Sequence, residues 1–143
     1  MTNVARSAQV LLIAASSMLF AAFTSAMVVR RGIGGDWAAP PLPAWVLPTI
    51  LFAPLASWLL HQRRVKPAMA AGAALVAAQI ALLAHFRMAV IGEAFCAVLI
   101  AVHALHAAAG VLALGRFGAS AAIFWHFVGL LWIYVLFLFG VWA

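Results

Sequence analysis

Five long apolar runs, at roughly residues 8–29, 44–60, 68–86, 94–114 and 119–142, organise this chain. Short breaks rich in arginine, glycine and proline separate them. Most of the runs are near or above the ~20 residues that a helix needs to cross ~30 Å of hydrocarbon. The pattern predicts an all-α integral membrane bundle of five transmembrane helices, forming one domain over residues 1–143. The second run is the shortest and carries Pro54 in its middle. A kink is expected there, its freed backbone groups satisfied by neighbouring helices. The first run follows Arg6 and ends near Thr24, Ser25 and Ala26, as a secretion signal with a small-residue cleavage site would. It is long for a signal core, so a retained helix is expected.

The breaks shape the rest. Between Arg30 and Pro43 lie Gly32, Gly34, Gly35, Pro40 and Pro41, which predict a stiff irregular loop. Trp37 and Trp45 are expected at the membrane interface. The short turn from Gly115 to Gly118 makes the last two helices antiparallel neighbours. Alanine dominates the third and fourth helices, and small residues let helix backbones approach where lipid supplies no hydrophobic drive. The last helix instead displays Phe124, Trp125, Phe127, Trp132, Tyr134, Phe137, Phe139 and Trp142. One side of it is expected to face lipid and another to meet a further membrane subunit.

Composition removes the soluble alternative. Hydrophobic residues make up 69% of the chain and charged residues 7%, too few to cover a water-soluble domain. The net charge of +6 is not a nucleic-acid signature, because the basic residues sit in the breaks, where they set topology. Arg6, Arg63, Arg64, Lys66 and Arg116 share one side of a five-span chain, with no acid among them. Arg30, Arg31 and Arg87, diluted by Asp36 and Glu93, share the other. The asymmetry predicts a cytoplasmic amino terminus, and it places the first group among the phospholipid headgroups of an anionic leaflet. A single cysteine, Cys96, excludes an internal disulfide, a cysteine-ligated iron–sulfur cluster and a cysteine-bridged copper pair.

Few polar side chains remain at membrane depth: Gln79, His103, His106 and His126. Imidazole in hydrocarbon is costly and must find a partner inside the bundle. His103 and His106 are three apart and share a helix face. His106 and His126 lie roughly 12–14 Å below the turn that joins their helices, at nearly matching depth. Three readings stand side by side. The histidines are structural contacts, bonded to one another, to carbonyls or to Gln79; or His106 and His126 are axial ligands of a b-type haem, which would make the chain a small membrane cytochrome in quinol-linked electron transfer; or they form a metal site or a proton-transfer step. Hydrolysis is disfavoured, since no carboxylate lies at helix depth and no Ser/His/Asp set exists.

The motifs also resemble a family. The segment AFCAVLIAVHALHAAAGVLAL, residues 94–114, is similar to one with two histidines three apart followed by small residues. Phe124-Trp125-His126-Phe127-Val128 with Trp132 is similar to the start of that family's final helix. Ser17 to Phe23, then Arg30, Arg31, Trp37 and Leu47 to Phe52, follow its first block in order. Together these resemble subunit III of the haem–copper terminal oxidases, the cytochrome c and quinol oxidases, in a five-helix form. The chain carries Ser16 and Gly129 where many members have a glutamate and an aspartate. The resemblance implies a non-catalytic accessory subunit of a bacterial cytoplasmic-membrane oxidase that reduces oxygen to water and translocates protons. It implies no redox centre in this chain, with the haems and copper in subunits I and II and bound phospholipid in the bundle. It also favours the structural reading of His103, His106 and His126.

Overall fold

In hydrocarbon every backbone N–H and C=O must be satisfied within its own segment, and these apolar runs accordingly become helices. The computed structural model describes residues 3–35, 37–38, 42–87 and 90–142, with side chains described between 6 and 140. Asp36, Pro40, Pro41 and the side chain of Trp142 lie outside the described residues. The described chain is helical without strands: α1 (Asn3–Ile33), a 3-10 segment (Ala44–Leu51) leading into α2 (Phe52–His61), α3 (Val65–His85), α4 (Ile91–Phe117), a 3-10 turn (Gly118–Ala121) and α5 (Ala122–Trp142). Four stretches are long and apolar enough to cross a membrane: Arg6–Ile33, Ala44–His61, Val65–His85 and Ile91–Gly140. The last is folded back on itself, because His103 Nε2 on α4 lies 2.9 Å from the Val128 carbonyl on α5.

The helices overrun the apolar runs. α1 continues through Arg30 and Arg31, whose cations sit at the negative end of the helix dipole. α4 continues through Gly115 and Arg116, so the reversal begins only at Gly118, at φ 58°, a left-handed conformation suited to glycine, and is completed by the 3-10 turn that Gly118 opens. The irregularity expected at Pro54 starts earlier. Pro48 removes one ladder donor, the chain runs as 3-10 helix to Leu51, and Pro54 then falls in the first turn of α2, where no intrahelical donor is required. Thr49 supports the 3-10 stretch by donating its hydroxyl to the Val46 carbonyl.

α2 ends in paired bonds, Arg63 N–H to the Leu60 carbonyl (2.9 Å) and Arg64 N–H to the Leu59 carbonyl (2.8 Å). This is a Schellman cap with Arg63, at φ 59°, in the left-handed position usually taken by glycine. α2, α3, α4 and α5 pack each against the next and close into a ring, α5 meeting α2. α1 lies outside that ring against α4 and α5, and much of its surface is exposed. Met69 on α3 reaches Gly115 on α4, and Gln9 Nε2 on α1 donates to the Ser120 carbonyl at 2.9 Å. These contacts gather the start of α1, the α2–α3 link and the Gly118 turn at one end of the bundle. At the other end Trp37 is half-buried with its ring 6.0 Å from Phe95, and Gly92 passes under the Ala38 carbonyl where a Cβ would lie 2.1 Å from that oxygen. Trp45 is exposed and Cys96 is buried in α4.

Candidate functional site

His103 and Gln79 are both fully buried, on facing turns of α4 and α3. Gln79 Nε2 lies 2.7 Å from His103 Nδ1, and His103 Nε2 lies 2.9 Å from the Val128 carbonyl. A carbonyl can only accept, so His103 carries its proton on Nε2, and Nδ1 accepts from the Gln79 amide. One side chain thereby ties α3, α4 and α5. Trp132 packs against the same imidazole, ring centroids 5.1 Å apart, and its indole N–H donates to Thr49 Oγ1 at 3.1 Å. The contact extends the network to the 3-10 segment.

His106, one turn on, has the opposite tautomer. Its Nδ1–H donates to the Val102 carbonyl at 2.7 Å in its own helix, and its Nε2 accepts from the Ser16 hydroxyl of α1 at 2.9 Å. Ser16 is buried and supplies a neutral donor to the imidazole. Phe20 of α1 stands edge-on to both rings, at 6.3 Å from His103 and 5.6 Å from His106. Further along, the Tyr134 hydroxyl donates to Thr24 Oγ1 at 2.8 Å. Gln9, Ser16 and Thr24 thus fix α1 to the ring at three levels.

His126 is placed differently. The register that sets His103 beside Val128 puts His106 level with Trp125, so the depth match with His126 is close. Trp125, however, takes the inward direction and His126, one residue on, turns out. His126 is exposed, with Nδ1 2.8 Å from Ser57 Oγ on α2. The two imidazoles of the haem alternative are therefore turned to different helices, His106 to α1 and His126 to α2, rather than facing each other across a slot. His103 and His106 offer no free lone pair, since each accepting nitrogen already receives a hydrogen bond. No group of three or more His, Cys, Asp or Glu side chains comes together among the described residues.

The inward Trp125 fills the space that a haem edge or large ligand would need between α3, α4 and α5. Its ring lies where a Cβ on Gly72 would come within 2.7 Å, and one on Gly110 within 3.0 Å. The two glycines form the recess for a fully buried indole. The indole N–H of Trp125 and Oε1 of Gln79 are buried without partners among the described residues. Gly129 packs against Ala53 of α2, where a Cβ would lie 3.0 Å from the alanine methyl. A carboxylate there would enter the α2–α5 contact.

The five cations assigned to one side, Arg6, Arg63, Arg64, Lys66 and Arg116, are all exposed and lie at the same end of the bundle. Sequence reasoning missed Ser57, Thr49, Thr24, Tyr134, Gln9 and the Ser120 carbonyl. The available signal was the spacing of Gln9, Ser16 and Thr24, seven and eight apart, which keeps them on one helical face. Compared with known families, with characterised proteins and with solved structures, the chain matches none.

Proposed function

We propose that this chain is a non-catalytic accessory subunit of a haem–copper terminal oxidase, of the subunit III type, crossing a bacterial cytoplasmic membrane five times from a cytoplasmic amino terminus. The ordered run of motifs carries the reading: Ser17 to Phe23, Leu47 to Phe52, the His103 and His106 pair, then Trp125-His126-Phe127. The geometry supports it by giving those histidines work within the bundle. His103 bridges to α3 and α5 through both ring nitrogens, His106 bridges to α1 through Nε2 while its Nδ1 is held by its own helix, and His126 bridges α5 to α2. Opposed helix directions support the five crossings, as does the fold-back at Gly118. In this role the haems and copper belong to subunits I and II, and this chain contributes assembly surface, phospholipid contacts and stability.

Purification in mild detergent is expected to bring down a large subunit carrying haem and copper, while this chain, separated from it, shows no haem absorption. Isolation as a stable homo-oligomer without such a partner would count against the reading. So would a reduced b-type band in the separated chain that disappears in His126→Ala.

A further inference from the structure

The outward side of α5 has one exposed residue per turn: Ile123, His126, Leu130, Ile133, Phe137 and Gly140. Spacings of three and four keep these on a single face. α1 and α2 stand on either side of that face. Tyr134 bonds to Thr24 of α1 on one flank; on the other, Gly129 meets Ala53, and His126 meets Ser57, both of α2. The stripe therefore lies between α1 and α2, apolar except at His126.

That exception identifies the occupant. Ser57 engages Nδ1 only, and in either tautomer Nε2 of His126 has no partner among the described residues. Eight residues of helix from the Gly118 reversal put it about 12 Å into the bundle's length. On a five-span chain this depth is hydrocarbon, and lipid tails offer an imidazole nitrogen nothing. Ionisable side chains at such depth meet protein or a water-filled cavity. The outward faces of α1 and α4 differ, since Met18 and Leu112 are fully compatible with lipid and exposed Ser17 bonds the Ile13 carbonyl of its own helix at 2.8 Å.

We propose that the α5 stripe centred on His126, between α1 and α2, is the docking surface for one transmembrane helix of the haem- and copper-bearing subunit, and that this helix presents a hydrogen-bonding side chain to His126 Nε2. The three-and-four spacing is that of a helix–helix seam, and Gly140 permits close approach at one end. The inference rests on the accessory-subunit reading and adds which face docks and through which atom.

A photoactivatable cross-linking residue placed at Leu130 in the full complex, in native membranes, tests it. Probes at Met18 and Leu112 serve as controls. Leu130 is expected to form an adduct with the haem-bearing subunit, and the controls are expected to form none. His126→Leu should lower the yield of that adduct about threefold, the change that ~0.6 kcal/mol of membrane hydrogen bonding makes, while the separated chain keeps its helical content. If the complex purifies but the adduct arises only from Met18 or Leu112, the docking face is wrong and the accessory-subunit reading stands. If Leu130 links only to a second copy of this chain, the occupant is wrong. If no haem-bearing subunit purifies with the chain, the parent reading fails.

Discussion

His103 is where three helices converge on one imidazole, so its loss has a specific cost. His103→Leu leaves the Gln79 amide without its acceptor in the ring interior, where an unmade hydrogen bond costs about 1–3 kcal/mol. Membrane hydrogen bonds lie toward the low end of such figures. We expect His103→Leu to destabilise the bundle by about 1–2 kcal/mol in a denaturing-micelle titration. Adding Gln79→Leu should recover part of the loss, because both partners are then apolar. Strictly additive single effects would show that the pair is not coupled. That both residues lie deep in the membrane is legible in the sequence, since they fall mid-run. Their pairing is not, because direction around a helix depends on neighbours that an apolar run does not specify. His126 shows the same limit, its depth following from counting residues but its outward turn set by Trp125 occupying the recess between Gly72 and Gly110.

Among the elements, α1 is the least integrated. Its buried face is narrow, with Ser16, Phe20 and Met27 along it, and Val10, Leu11, Met18, Val29 and Ile33 are exposed. Three side-chain bonds, at Gln9, Ser16 and Thr24, hold it to the Gly118 turn, α4 and α5. Segments with few buried contacts open at lower free energy than the core. Hydrogen–deuterium exchange of the chain in detergent should therefore release amides around Ser16 before those around His103, and Ser16→Ala with Thr24→Val should widen the gap. Slower exchange in α1 than in α4 would contradict this. The existence of α1 is plain from its apolar run. Its peripheral position depends on which face carries the bonded polar groups, and three short polar side chains in a long apolar run are a faint signal.

At the scale of the whole molecule, charge separates the two ends. The end that gathers Arg6, Arg63, Arg64, Lys66 and Arg116 contains no acid among these loops. Near an anionic leaflet each such cation is worth about 1 kcal/mol. Native mass spectrometry after delipidation is expected to retain fewer anionic phospholipids on an Arg63→Glu, Arg64→Glu, Lys66→Glu variant than on the parent chain. An unchanged lipid count would leave these residues with topology alone. The clustering was legible because helices that alternate in direction bring alternate breaks together, an inference that needs the order of the apolar runs but no side-chain geometry. The helix boundaries were less legible, since arginine continues α1 and α4 past the apolar runs as readily as an apolar residue would.

The proline-bearing segment has a consequence for thickness. Its 18 residues, Ala44–His61, would measure about 27 Å as continuous α-helix, a few ångströms short of a ~30 Å hydrocarbon slab. A 3-10 helix rises about 2.0 Å per residue, so the first eight residues in that form lengthen the segment to about 31 Å. Pro48 thus gives the shortest segment the reach of its neighbours. Without that extension, the bilayer would have to thin around α2 at a cost of fractions of a kcal/mol per ångström, on the flank where His126 meets Ser57.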